Sequence, residues 1–104
     1  MSDQDPVVVT DNSDASRLEI RADGELAELT YRTRAGRLVL IHTTVPDALG
    51  GRGLGGLLVQ AAIDKALRDE TTLVPLCPFA ASWLHRHPDD AAKVTIDWAE
   101  PGGR

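Results

Sequence analysis

The sequence predicts an α+β domain in which a mainly antiparallel central sheet, drawn from the first half of the chain, is covered by two to three helices from the second. Three observations carry this. From Ser16 apolar and polar residues alternate with period two, Asp23-Gly24 supplies a hairpin turn, and from Gly53 the apolar period lengthens to that of a helix. With 104 residues the chain sits at the low end of one-domain size, so a single unit over residues 1–104 is expected, frayed at 1–5 and 99–104.

Each element follows in order. Pro6 and the β-branched run Val7 to Thr10 read as a short strand behind an acidic start, ended by the turn-rich cluster Asp11, Asn12, Ser13 and Asp14. Leu18 and Ile20 then share one face of a second strand, with Arg17, Glu19 and Arg21 on the other. The returning strand puts Ala27, Leu29 and Tyr31 inward, and Ala35-Gly36 turns it into Arg37 to Val45. The Leu38 to Ile41 block is apolar on both faces, which places that fourth strand at the centre of the sheet. Pro46-Asp47 stops the meander.

From Gly53, Leu54, Leu58, Ala62 and Ala66 form a stripe flanked by Leu57, Ala61 and Ile63, opposite Gln60, Asp64 and Arg68. This is an amphipathic helix of several turns, with Asp64 and Arg68 spaced for a surface pair. Thr71 to Pro75 is a short buried strand. Pro78 suits the first turn of a second helix, Phe79 to His87, because a first-turn residue needs no N–H partner, and Pro88 ends it. Val94 to Trp98 is expected as a last edge strand.

Composition narrows the function classes. Lys and Arg number 11 against 16 Asp and Glu, a net charge of -5, which argues against binding nucleic acid or anionic membrane through bulk positive potential. Hydrophobic residues make up 42%, ordinary for a soluble chain, and roughly two-thirds of the unfolded surface is buried at this size, enough for a modest core. The single cysteine, Cys77, excludes an internal disulfide. No apolar stretch is long enough to span a bilayer or form a signal-peptide core. A soluble cytoplasmic protein, monomeric or weakly dimeric, is expected.

The most informative string is Gly50-Gly51-Arg52-Gly53-Leu54-Gly55-Gly56, between a strand and the start of a helix. A helix start offers unpaired N–H groups and the positive end of the dipole, and residues without Cβ let a phosphate approach the backbone. The string is a candidate pyrophosphate cradle; the plain alternative is a linker whose glycines only permit a sharp turn. Gly55 is followed by Gly56 and Leu57, so the lysine and hydroxyl of a P-loop are missing. Gly51, Gly53 and Gly56 have dinucleotide-fingerprint spacing. A meander precedes them, however, no acidic residue ends Leu73-Val74-Pro75-Leu76, and the chain is too short for two mononucleotide halves. A coenzyme A cradle built from meander, loop and helix remains.

Six other side chains invite chemistry. Cys77 precedes Pro78 at the N-cap of the second helix, where the dipole stabilises a thiolate; it is either a nucleophile or a small buried hydrophobe. His42 falls, by parity, on the Leu38 and Leu40 face, as a core group or as a base for an acceptor amine. His85 and His87 read as cations in the last turn of a helix, and with one cysteine they make no zinc site. Phe79 and Trp83, four residues apart, pack onto the sheet or line an acyl pocket.

The strings Arg37 to Pro46 (RLVLIHTTVP), Gly50 to Val59 (GGRGLGGLLV) and Val74 to Pro88 (VPLCPFAASWLHRHP) closely resemble the small single-domain, YjdJ-like branch of the GNAT N-acetyltransferases. The resemblance runs from about Asp11 to Pro88. It implies a truncated GNAT fold with acetyl-coenzyme A in a cleft beside the fourth strand, its pyrophosphate on the backbone of Gly51, Arg52, Gly53, Leu54, Gly55 and Gly56. Main-chain bonds from Thr43, Thr44 and Val45 to the pantetheine are implied, with Cys77 as the active-site residue and His42 in the site. The implied activity is acetyl transfer to a primary amine, with no metal; the alternative is a non-catalytic coenzyme A-binding or interaction module. One position departs from the family pattern, since Gly50 stands where the loop usually opens with Arg or Gln. The guanidinium of Arg52 is the nearest candidate to approach a phosphate instead.

Overall fold

Two tight turns set the sheet. In the computed structural model, which describes residues 7–98, Asp23 and Gly24 have φ of 53° and 78°, and Ala35 and Gly36 have 51° and 77°. Positive φ at both central residues matches the strand twist of a two-residue hairpin. These turns join β2 (Arg17–Ala22), β3 (Glu25–Arg34) and β4 (Arg37–Thr44) in an antiparallel meander. β1 (Thr10–Asn12) pairs antiparallel with β2 at one edge, and β5 (Thr72–Pro75) runs parallel to β4 at the other. The sheet order is thus β1-β2-β3-β4-β5. The parallel pair is possible because α1 (Leu54–Asp69) carries the chain back across the sheet.

The core lies between one face of the sheet and the helices. Leu18 and Ile20 of β2, Ala27, Leu29 and Tyr31 of β3, and Leu38 and Leu40 of β4 are all buried. α1 lays Leu58, Val59, Ala62, Ile63 and Ala66 over them, and α2 (Pro78–Arg86) adds Ala80, Trp83 and Leu84. Gln60, Asp64 and Arg68 stay exposed on the far side of α1, although the i,i+4 pair that forms is Lys65–Asp69 at 3.4 Å rather than Asp64–Arg68. Pro88 ends α2 and also opens a third, four-residue helix, α3 (Pro88–Ala91). Among the described residues no helix is long and apolar enough to cross a membrane.

The edges differ from expectation. Val7 to Val9 lie outside the strand, which starts only at Thr10, takes in Asp11 and Asn12, and ends within the expected cluster at a 3-10 turn over Ser13–Ala15. Val7 and Val8 are exposed while Val9 packs on the core, so the chain leaves the edge of β2 instead of extending along it. The C-terminal strand shrinks to a bridge. Leu73 pairs with Ile96, donates to Thr95 O and accepts from Asp97 N, both at 2.9 Å, with Arg37 on Asp97 as an outer clasp. The expected fraying of 1–5 and 99–104 concerns positions outside the described residues.

Two charged clusters close the β1 end. On the open sheet face Arg17 grips Glu19 and reaches Glu28 at 3.1 Å, while Asn12 donates to Glu19 at 3.1 Å. The Arg17 bond, followed by that of Asn12, holds the Glu19 carboxyl below the usual range. Beside the core Lys65 donates to Asp11 at 2.8 Å and Tyr31 donates to the same carboxylate. Burial would raise Asp11, but the Lys65 and Tyr31 bonds outweigh it and hold the carboxyl low, and Asp11 in turn holds Lys65 above its usual value.

A depressed carboxylate contributes stability that is complete above its unfolded value and lost on acidification, while a raised lysine contributes until alkaline pH. Asp11→Asn is therefore expected to cost about 1 kcal/mol at neutral pH and to shrink the loss of stability seen below about pH 4. Thermal unfolding at both pH values checks this; an unchanged acid dependence contradicts it.

Candidate functional site

The site begins with one extra residue. Between β3 and β4, Thr30 faces His42 but Tyr31 faces Leu40, which leaves Ile41 unpaired as a β-bulge. A bulge shifts the in-out alternation by one for every residue after it. His42 therefore does not share the face of Leu38 and Leu40 as parity predicts; it is exposed on the open face, paired with Thr30. Thr43 takes the inward position beside buried Leu29.

Beyond the bulge β4 loses its other neighbour. β4 and β5 pair only as far as Leu40 and Pro75, and the last link is the Cys77 N–H donating to Leu40 O at 2.9 Å. Cys77 is the N-cap of α2, as the Pro78 signal requires, with Pro78 in the first turn. Its side chain does not cap the helix; Sγ lies 3.2 Å from Thr43 Oγ1 and is 2% exposed.

Where β4 ends and α2 turns away, a cleft of about 480 Å³ opens. Its walls are Val45, Pro46, Asp47, Leu49, the glycines Gly50, Gly51, Gly53, Gly55 and Gly56 with Leu54, and Phe79, Trp83 and Arg86 from α2. Gly51 and Gly53 have φ of 81° and 74°, in the left-handed region where a side chain would be strained. Gly53 is the N-cap of α1 and, as glycine, has no side chain to cap it, so the first N–H groups of the helix remain available at the cleft.

Gly55 and Gly56 serve a different end, close packing. A Cβ on Gly55 would stand 2.6 Å from Phe79 Cζ, and one on Gly56 would stand 2.6 Å from Trp83 Nε1. Trp83 is pinned from behind, its ring stacked on His87 at 3.8 Å while His87 Nδ1 lies 2.8 Å from the Trp83 carbonyl oxygen. His85 stacks on Trp98 at 4.3 Å. Both histidines are thus ring partners as well as residues of a helix end.

The predicted residues fall into four groups. Val45, Gly51, Gly53, Leu54, Gly55 and Gly56 line one cleft. Thr43 and Cys77 touch each other just behind it, while Thr44 and His42 are exposed on the strand. Arg52 lies outside the cleft wall, since its guanidinium reaches Asp23 at 2.7 Å and ties the glycine loop to the β2–β3 turn. The cation that does line the cleft is Arg86, which sequence reasoning missed. Among the described residues Arg86 has no carboxylate partner, and Asp47 is the only other charged residue in the wall. Its signal was present: Phe79, Trp83 and Arg86 sit at i, i+4 and i+7 on one face of α2.

Residues 17–94 match the sequence profile of a family described as GCN5-related N-acetyl-transferase. The chain is similar to Protein NATD1 of Mus musculus, with 29% identity over 86 residues, covering 80% of this chain and 78% of that protein. It is also similar to a Staphylococcus aureus protein solved by NMR and described as a GCN5-like candidate N-acetyltransferase. The TM-score is 0.66 at 25% identity, over 89% of this chain and 93% of the other.

The glycine packing makes a graded prediction. Phe79 is 39% exposed and can swing aside, whereas Trp83 is 6% exposed and held by His87. Gly56→Ala is expected to lose about 1–3 kcal/mol by overpacking, despite the better helix propensity of alanine. Gly55→Ala is expected to lose clearly less. Chemical denaturation of the two variants measures the difference, and equal midpoints would contradict the packing argument.

Proposed function

The chain belongs to the GCN5-related N-acetyltransferase family, and from that premise we propose that it transfers the acetyl group of acetyl-coenzyme A to a primary amine. The cleft carries the reading. Its volume lies within the range of small-molecule sites, and its walls combine helix-start N–H groups, one guanidinium and apolar surface from Val45, Phe79 and Trp83. That mixture suits a ligand with a pyrophosphate at one end and a long, weakly polar arm.

The backbone N–H groups from Gly51 to Gly56 would take the pyrophosphate, and Arg86 would add the charge that Gly50 does not supply. Thr43, Thr44 and Val45 lie where β5 no longer accompanies β4; their main chain would pair with the pantetheine arm as an added strand does. Cys77, at the inner end of this stretch, is the chemical centre. Its sulfur either bonds to the acetyl carbon as the thioester to coenzyme A breaks and then yields that carbon to the amine, or it stands beside a direct transfer. On the open face, opposite the inner side where Thr43 meets Cys77, the imidazole of His42 would take the proton of an amine that approaches from that side. A coenzyme A-binding module without turnover is the second reading, favoured by the burial of Cys77 at 2% exposure.

Calorimetric titration with acetyl-coenzyme A, followed by intact mass, tests this. Saturable binding and acetylation of an amine acceptor are expected, with Arg86→Ala weakening binding by roughly fivefold, more at low salt than at high. Cys77→Ser is expected to bind normally; loss of an acetyl mass gain together with transfer in that variant would support the covalent route, and transfer that persists would support the direct one. Binding without any transfer would favour the second reading, and no binding at millimolar ligand would overturn both.

A further inference from the structure

Cys77 has a fixed backbone and a buried sulfur with one polar partner among the described residues. The backbone is set by the N–H bond to Leu40 O at 2.9 Å and by its place as N-cap of α2. Sγ makes no bond to the first N–H groups of that helix. Its polar partner among the described residues is Thr43 Oγ1, 3.2 Å away.

That contact is a product of the bulge at Ile41. Without the extra residue, His42 would point inward and Thr43 outward, and no hydroxyl would stand beside the sulfur. A hydroxyl is both donor and acceptor, so it can accept from an S–H or donate to the sulfur once the thiol proton has left. Burial disfavours a thiolate, while a hydrogen bond donated to the charged form favours it. Threonine is also stiff at χ1, so its oxygen is held in place before any ligand arrives.

We infer that Thr43 is the positioning residue for Cys77: its hydroxyl holds Sγ in one orientation and donates a hydrogen bond to the sulfur when the thiol is deprotonated. The inference rests on Cys77 being the chemical centre of the transfer. It gives Thr43 a side-chain role distinct from the main-chain pairing with pantetheine, and the two separate cleanly, because a substitution at Thr43 leaves the backbone groups in place.

Thr43→Val keeps the branched shape and removes the hydroxyl, whereas Thr43→Ser keeps the hydroxyl. The reaction of the chain's one cysteine with a small thiol reagent is followed at one fixed neutral pH, with Cys77→Ser as the blank, in the absence of acetyl-coenzyme A. Wild type and Thr43→Ser are expected to react at the same rate. Thr43→Val is expected to react roughly tenfold more slowly, because the hydroxyl that orients and stabilises the attacking sulfur is gone. In transfer assays kcat falls by a similar factor in Thr43→Val and recovers in Thr43→Ser, with KM for acetyl-coenzyme A unchanged. A Thr43→Val rate that matches wild type, or a Thr43→Ser rate that follows Thr43→Val, overturns the inference. If Thr43→Val lacks a cooperative melt, Thr43→Ala is measured and judged by the same criterion. A hydroxyl-dependent reactivity in a wild-type protein that transfers nothing would support the Thr43–Cys77 coupling and overturn the transferase reading.

Discussion

The arrangement of the site depends on one unpaired residue, Ile41, in β4, an inner strand flanked by β3 and the edge strand β5. Before it, β4 is a regular core strand with Leu38 and Leu40 inward. After it the faces exchange, so Thr43 reaches Cys77 while His42 stands on the open face. The bulge also coincides with the end of β4–β5 pairing at Leu40 and Pro75. Bulges bend a strand and increase its local twist, and here the bent strand and the departing β5 leave a length of β4 edge beside the cleft. Register, side-chain direction and access to backbone thus change together at one position.

The other wall of the cleft is a packing solution. α1 and α2 approach closely enough that Gly55 and Gly56 sit where Cβ atoms would collide with Phe79 and Trp83. The same closeness sets Arg86, on the exposed end of that α2 face, into the wall beside the helix start of α1. Glycine is needed at Gly51 and Gly53 for backbone conformation and at Gly55 and Gly56 for space. A single string therefore does two physical jobs, and only the first is the one usually read into a glycine-rich loop.

Most of the fold was legible because its signals are local. Asp23-Gly24 and Ala35-Gly36 specify their own turns, the α1 stripe specifies its buried face, and Pro78 marks the first turn of α2 with Cys77 before it. What was misread depends on partners distant in sequence. A bulge changes parity without any distinctive residue, so His42 was assigned to the wrong face. The Val7 to Val9 run has strand propensity but leaves the edge of β2, and Val94 to Trp98 reaches β5 by only one bridge. Arg52 looked like the loop's cation by proximity, yet Asp23, 29 residues away, claims it, and Arg86 arrives from another helix.

The central claim is that the β4 edge, the glycine loop and α2 form one ligand site. Amide NMR shifts of the ¹⁵N-labelled protein titrated with coenzyme A test it most directly, because every proposed contact on the first two of these is a backbone N–H or lies beside one. The account predicts saturable shifts at Val45, along Gly51 to Gly56 and around Phe79 to Arg86, with Val7 to Thr10 and the open face near Arg17 and Arg21 unmoved. Shifts concentrated outside that cleft, or none at all, would contradict it.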